Sequence, residues 1–362
     1  MKKNLLFCAY DLNVGGIEKA LVNLLNNIDY DKYNVHLLLE RKTGVWLSAI
    51  PKQVTVEEYT PFSEGNILIR KFKNFLKLLK WKKINKGKYD FSCSFATYSR
   101  VCAVTALIAS VNSHLWIHSD YTKIYDEKNI KKFFNGIGFK KFKRRIFVSE
   151  ESMNNIMKFY KDKGNNYVVY NIIDYPAMLK DSREKINDIK TKRTTFINVS
   201  RHDDESKRLY RLFNACIKLK KDKYEFDVYL IGDGKDTSDY KKYVKKNKLD
   251  DVIHFLGRKS NPYPYYKKAD ASVVTSYYEG YPVVFLESLV FNVPIISTKV
   301  SDWKKLNGIY GIFVENDDDS IYYGMKKFLE NGFEITEKYD YRKHNEEILE
   351  KLDYFITKKG IY

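Results

Sequence analysis

Two glutamates separated by seven residues, Glu279 and Glu287, lie in the stretch SYYEGYPVVFLESLVFNVPIIST, residues 276–298. Between them stands Gly280-Tyr281-Pro282. Glycine permits a tight loop, and proline fits the first position of a helix because its missing N–H costs nothing there. The pattern therefore predicts a helix over 282–291 whose leading amides, those of Val283 and Val284, point at whatever precedes it. Unpaired amides and the helix dipole both favour an anion, and a phosphate is the natural guest. Glu287 shares its helix face with Val283, Val284, Val290 and Phe291, and a carboxylate among apolar side chains needs hydrogen-bond donors. Sugar hydroxyls would serve, and Glu279 is placed to accept from a second set.

E-G-Y-P-x4-E-S-L followed by N-V-P-I-I-S-T resembles the E-x7-E signature of the retaining nucleotide-sugar glycosyltransferases of family four, which have the GT-B fold. What the resemblance implies is an α/β chain of two Rossmann-like domains facing each other across a cleft, with a C-terminal helix crossing back to the first. The expected boundaries are an acceptor-binding domain over 1–175, a linker over 176–192, a nucleotide-sugar-binding domain over 193–340 and the returning helix over 341–362. The rhythm of the chain agrees: strand-like runs alternate with helical ones, as a parallel, doubly wound sheet requires.

Further residues carry the resemblance in turn. Gly15 and Gly16, after the strand-like LLFCAY, resemble the family's N-terminal glycine loop; they form no dinucleotide fingerprint, since G-x-G-x-x-G is absent. His118 ends the run WIH and resembles the histidine that lies by the transferred sugar. VVYNIIDY resembles the family's linker entry, with Ile172 where glycine is usual. Arg201 and Lys207 follow the strand-like TTFINVS; two cations there would hold a diphosphate and stabilise charge developing on it. The family pattern is G-R-L-x-x-x-K, whereas here Ser200 replaces the glycine and the loop is one residue longer, leaving Lys207 or Arg208 as the second cation. Gly232 belongs to a Gly-Asp-Gly turn that resembles the loop under the donor nucleotide, and Leu256 lies where the family brackets its base.

The implied activity is transfer, with retention and without a metal or other cofactor, of a hexose or N-acetylhexosamine from a UDP-linked donor to a saccharide acceptor, lipid-diphosphate-linked, in cell-surface glycan assembly such as capsule or exopolysaccharide. His118, Arg201, Lys207 and Glu279 are the expected catalytic group. The donor-binding set is Gly15, Gly16, Arg201, Lys207, Gly232, Leu256, Glu279, Gly280, Tyr281, Pro282, Val283, Val284 and Glu287. A catalytically silent glycosyltransferase-like partner subunit is the alternative; a basic nucleic-acid-binding protein is a weaker one, because it leaves both glutamates idle.

At 362 residues, 44% hydrophobic and 30% charged, the chain has the composition of a soluble globular protein. Its longest apolar run, residues 101–111, falls short of the roughly 18 needed to span a bilayer. No signal-peptide pattern opens it, and the four cysteines have no metal-like spacing, so a cytoplasmic protein with reduced thiols is expected. The net charge of +18 is uneven: residues 1–175 hold 29 Lys and Arg against 16 Asp and Glu. Two blocks concentrate it. Residues 70–88, from Arg70 to Lys88, carry nine basic and no acidic side chains, with Phe72, Phe75, Leu76, Leu79 and, further round, Trp81 as an apolar side. Residues 128–145, from Lys128 to Arg145, carry eight basic and no acidic ones, interleaved with Phe133, Phe134, Phe139 and Phe142. Both read as an anionic-membrane surface on the inner face of the cell membrane.

Overall fold

In the computed structural model of the chain, residues 1–160, 164–190 and 192–357 are described. The chain divides into two units, Met1–Ile173 together with Arg342–Tyr362, and Asp174–Tyr341. Residues 161–163 of the expected first domain, 191 of the expected linker and 358–362 of the expected terminal segment lie outside the described residues.

The first unit is a seven-stranded sheet of β1 (Lys3–Ala9), β2 (Tyr33–Leu39), β3 (Thr55–Glu58), β4 (Phe91–Ser94), β5 (Ser113–Ile117), β6 (Arg144–Phe147) and β7 (Asn166–Val168), in the order β3-β2-β1-β4-β5-β6-β7. Every pairing is parallel. The central parallel strands, covered by helices on both faces, are buried and so appear in sequence as short continuous apolar runs such as Leu5 to Ala9, whereas the edge strand β3 is mostly exposed. The covering helices are α1 (Gly16–Asn27), α2 (Ile67–Asn85), α3 (Arg100–Ala109), α4 (Glu127–Gly136) and α5 (Glu150–Met157).

The second unit repeats the plan with six strands: β8 (Thr194–Val199), β9 (Phe226–Ile231), β10 (Ile253–Gly257), β11 (Ala271–Val274), β12 (Ile295–Thr298) and β13 (Gly311–Val314), ordered β10-β9-β8-β11-β12-β13 and again all parallel. Its helices are α6 (Tyr175–Asp181), α7 (Asp204–Lys207), α8 (Leu209–Lys221), α9 (Thr237–Lys246), α10 (Tyr263–Tyr266), α11 (Val283–Val290) and α12 (Ser320–Asn331). Both sheets are Rossmann-like, as the GT-B fold requires. In each, strand order reverses beside the first strand of the unit, between β1 and β4 and between β8 and β11. Ligands of such sheets collect beyond the carboxyl ends of the strands at that switch point. The loops after β1 and β8 are therefore the ones to inspect, and they carry Gly15-Gly16 and Arg201.

The last helix, α13 (Tyr341–Thr357), packs on the first unit. The Asn345 side chain accepts from the Ile173 amide at 3.2 Å and donates to the Ile173 carbonyl at 2.6 Å. The Asn112 amide donates to the Phe355 carbonyl at 2.8 Å, and the Arg144 guanidinium lies over the Phe355 ring. All four cysteines are buried and free, and burial pushes the Cys8 thiol up to about 12.

The two basic blocks stand differently against the sequence expectation: the second departs from it in its aromatics, the first only at Trp81. Residues 128–145 keep Lys128, Lys132, Lys140 and Lys141 exposed, but most of their aromatics do not join them at the surface. Phe134, Phe139 and Phe142 are core residues, Arg144 and Arg145 are buried in β6, and their charges go to Asn112 and His114 and to Asn166 and the Gly164 carbonyl respectively. An aromatic among lysines is as good a core residue as any other, and here the core claimed it. In α2 it is Trp81 that turns inward, against Tyr59, whereas Phe72, Phe75, Leu76 and Leu79 are exposed.

Candidate functional site

β8 ends in Asn198-Val199, and the chain leaves it through Ser200-Arg201-His202 into the single turn α7. Arg208 then takes a left-handed conformation, φ 51°, at the junction of α7 and α8. That break points successive side chains to different sides. Lys207 runs to Glu279, its Nζ 2.5 Å from Oε1. Arg208 lies over the Tyr277 ring, 5.4 Å from its centroid. Of the two candidate cations, Lys207 is the one brought against the glutamate. Arg201 points outward and pairs with Asp203 at 3.1 Å.

Glu279 is fixed from two sides, because Ser276 Oγ donates to the same Oε1 at 2.7 Å. The loop that carries it is clipped to α7: Thr275 Oγ1 donates to the Lys207 carbonyl at 2.6 Å, and the Tyr277 amide to the Ser206 carbonyl at 2.8 Å. Cation and carboxylate are thus held by two backbone-level ties, with most of each side chain shielded from water.

Beyond Gly280, Tyr281 and Pro282 begins α11. Pro282 is its cap rather than its first residue, so the helix begins one residue later than the sequence predicts, and it ends at Val290. The Ser301 hydroxyl donates to the Gly280 carbonyl at 2.6 Å and braces the approach. Val283 and Val284 supply the leading amides of the helix, whose dipole adds to the attraction for an anion.

Glu287 is 2% exposed. The Tyr266 hydroxyl, also buried, donates to its Oε2 at 3.1 Å. Burial and the neighbouring Glu287 charge hold the Tyr266 phenol well above its ordinary value, so it stays protonated and keeps donating. Nothing in the sequence pointed to Tyr266: the bond joins α10 to α11 across the domain, and no local pattern encodes it.

The Gly-Asp-Gly turn after β9 has a steric reason. A Cβ on Gly232, which has φ 145°, would stand 1.8 Å from the Ser200 carbonyl oxygen, and one on Gly234 would stand 2.2 Å from that of His202. The end of β9 therefore lies against the end of β8 at backbone distance, and only glycine fits. His202, not singled out from the sequence, is buried here. Thr237 Oγ1 donates to Asp233 at 2.6 Å, so its contact with His202 Nδ1 at 2.8 Å must be donated by the imidazole. That leaves Nε2 as a buried acceptor without a protein partner. Leu256 is half-buried on β10.

The remaining candidates belong to the first unit. Gly15 caps α1, and the Glu18 carboxylate occupies the space its Cβ would need. His118 directly follows β5. It is 8% exposed, its ring lies 4.3 Å from Phe95, and its Nε2 has no partner. Desolvation lowers its pKa to about 3, so at neutral pH it is an uncharged imidazole that can exchange a hydrogen bond with a ligand. It cannot supply a phosphate with positive charge. A polar cavity of about 290 Å³ lined by Lys2, Tyr33, His36 and Thr55 lies at the amino ends of the strands, away from the glycine loop. We give it no part in the site, because ligands of open parallel sheets gather at the other end.

His114 is also lowered to about 3 by burial and by the Arg144 charge. Both histidines are neutral when folded and take up a proton when unfolded below pH 6.5, so stability must fall as pH drops through that value. Between pH 6.5 and 5.5 each costs about 1 kcal/mol. Burial also lowers His36, His202 and His344, which add to the slope; urea titrations should show it, reduced in His118→Asn by about 1 kcal/mol between pH 6.5 and 5.5, and an unchanged slope would place the His118 pKa near its ordinary value.

Among the described residues, no group of three or more His, Cys, Asp or Glu is gathered as a cation site, and no helix is long and apolar enough to cross a membrane.

Residues 180–346 match the family model described as Glycosyl transferases group 1. Over 340 residues, covering 89% of each chain, the sequence is 26% identical to the Campylobacter jejuni N-acetylgalactosamine-N,N'-diacetylbacillosaminyl-diphospho-undecaprenol 4-alpha-N-acetylgalactosaminyltransferase. It is 25% identical, over 86% of this chain and 82% of the other, to a second C. jejuni enzyme, the GalNAc-alpha-(1->4)-GalNAc-alpha-(1->3)-diNAcBac-PP-undecaprenol alpha-1,4-N-acetyl-D-galactosaminyltransferase. Among solved structures, Anabaena HepE in complex with UDP and glucose superposes with a TM-score of 0.76, covering 97% of this chain and 99% of that one at 17% identity. The family model thus matches almost entirely within the second unit, the chain is similar to these glycosyltransferases along most of its length, and its fold is GT-B.

Proposed function

We propose that the protein is a retaining, metal-independent glycosyltransferase that moves a hexose or N-acetylhexosamine from a UDP-linked donor to a lipid-diphosphate-linked saccharide, at the inner face of the membrane, in cell-surface glycan assembly. The observation that carries the reading is the arrangement in the second unit: a shielded Lys207–Glu279 pair in the loop that leads into α11, with Glu287 buried in that same helix.

Each group has a task its environment suits. Lys207, Arg201 and the amides of Val283 and Val284 neutralise the diphosphate, with Gly280, Tyr281 and Pro282 shaping the approach. Glu287, aimed by Tyr266, accepts from the ribose hydroxyls; Gly232 and Leu256 border the nucleotide. Glu279 orients the sugar. In the first unit, Gly15 and Gly16 form the loop beyond the carboxyl end of β1, and neutral His118 is a hydrogen-bond partner for a sugar hydroxyl. In the front-face route the bond from the anomeric carbon to the phosphate oxygen breaks. The acceptor oxygen bonds to that carbon on the same face, and its proton passes to the departing phosphate. Cations at the phosphate lower this barrier because charge develops there. Both C. jejuni relatives bear names that place their sugar on an undecaprenol-diphosphate-linked saccharide, and HepE binds UDP; these support the choice of donor and acceptor.

Thermal melting against a panel of nucleotide sugars tests the proposal. At a hundred times its Kd, the right donor adds about 2.7 kcal/mol, or about 5–10 °C for a domain of this size. Transfer with that donor should persist in EDTA. If no nucleotide sugar raises the midpoint, the reading fails.

A further inference from the structure

α2 is amphipathic in the inverse sense. A helix lying on a globular domain normally turns its apolar stripe to the core and its charges to water. Here the side turned to the protein is largely polar. Asn66 caps the helix by accepting from the Leu68 amide at 2.9 Å. Arg70 donates to the Ser63 carbonyl at 2.8 Å, Asn74 exchanges two hydrogen bonds with the Phe62 backbone at 2.8 and 3.0 Å, and Lys77 donates to the Thr60 carbonyl at 2.6 Å. Leu78 and Trp81 reach the core cluster, and Asn85 is buried at the end of the helix.

The other side is apolar and bare. Leu68, Phe72, Phe75, Leu76 and Leu79 recur at helical spacing along one stripe and are 45 to 72% exposed. Lys71, Lys80, Lys82, Lys83 and Lys86 flank it, and no acid occurs between residues 70 and 88. A stripe this exposed, on a helix whose opposite side is tied through Arg70, Asn74 and Lys77 to residues 60–63, calls for an external apolar partner.

We propose that α2 docks the protein on an anionic lipid bilayer, its Leu and Phe side chains entering the acyl boundary and its lysines contacting the headgroups. Charge selects this occupant. Face-to-face packing of the helix on a second copy of itself would set lysines against lysines, and nucleic acid would leave the Leu-Phe stripe in water. A bilayer with negative headgroups satisfies both halves. The inference rests on α2 alone and holds whether or not the proposed transfer does.

The test is co-sedimentation of the full chain with vesicles of equimolar phosphatidylcholine and phosphatidylglycerol, against phosphatidylcholine alone. Binding is expected to the mixed vesicles, at least about tenfold stronger than to the neutral ones, and to weaken between about 0.1 and 1 M salt as the Debye length falls from about 10 to about 3 Å. The exposed triple variant Phe72→Ser/Phe75→Ser/Leu79→Ser should lose at least about tenfold in partitioning at low salt with an unchanged melting midpoint. Lys71→Gln/Lys80→Gln/Lys83→Gln should remove most of the salt-sensitive part. Equal binding of the serine variant and the unaltered chain, or equal binding to both vesicle types, would overturn the proposal. So would a dimer in sedimentation velocity that the serine variant turns into a monomer, which would assign the stripe to a second copy.

Discussion

Replacing Glu287 with alanine is expected to lower kcat/KM for transfer by about two orders of magnitude and to leave the fold intact. Both halves follow from the same burial. Folding has already taken the carboxylate out of water and aimed it with the Tyr266 hydroxyl at 3.1 Å, so each bond it makes to a donor hydroxyl is formed without further desolvation. Hydrogen bonds to charged groups contribute about 1.5–3 kcal/mol each, and a ribose offers two hydroxyls. The cost to stability is small because two terms oppose each other: alanine strands the Tyr266 hydroxyl, but it also removes a buried carboxylate that folding had to desolvate. Most of the loss should appear in KM, since ribose contacts are made equally in ground and transition states. Tyr266→Phe keeps the carboxylate and loses its aim, and should show a milder rise in KM with kcat near normal. Steady-state kinetics beside melting curves would read this; near-normal turnover in Glu287→Ala would remove Glu287 from the site.

How much of this was written in the sequence depends on whether the information was local. The strands were readable because parallel strands buried on both faces must be apolar runs. The stretch 276–298 was readable because Gly, Pro and the two glutamates fall on one loop and one helix. Tyr266 was not, since its partner lies on a different helix. Lys207 and Arg208 could not be told apart, because the choice depends on where the backbone turns left-handed, and φ 51° at Arg208 is a property of the folded loop. The basic blocks show the limit of composition. Both interleave aromatics with lysines, yet Phe134 and Phe139 are core and Phe72 and Phe75 are surface. Periodicity shows that a helix has an apolar stripe; the rest of the domain decides which way the stripe faces.

The largest effect on the chemical step is expected at Lys207. Alanine there should reduce kcat by about 10²–10³-fold, the usual cost of losing one group that meets developing charge. Before donor binds, that cation is committed to Glu279 at 2.5 Å. An incoming diphosphate must compete with a carboxylate for it, so Glu279 plays two opposed parts: it holds Lys207 in place, and it withholds part of the positive charge. Glu279→Gln separates them. Binding of the nucleoside diphosphate alone should tighten, by up to about tenfold, because the lysine is no longer neutralised. Transfer should nevertheless fall, because the sugar loses its orienting carboxylate. In the double variant Lys207→Ala/Glu279→Gln the two effects on diphosphate affinity should not add: with the lysine gone, removing the carboxylate has no cation to release, and this non-additivity measures the coupling. Arg208→Ala is the control, since its guanidinium lies on Tyr277, and it should change kcat less than about threefold. Calorimetric titration of the diphosphate with the four variants, beside initial rates, would decide. A loss at Arg208 equal to that at Lys207 would hand the phosphate to the arginine. Unchanged diphosphate affinity in Glu279→Gln would show that the ion pair exerts no hold on the cation.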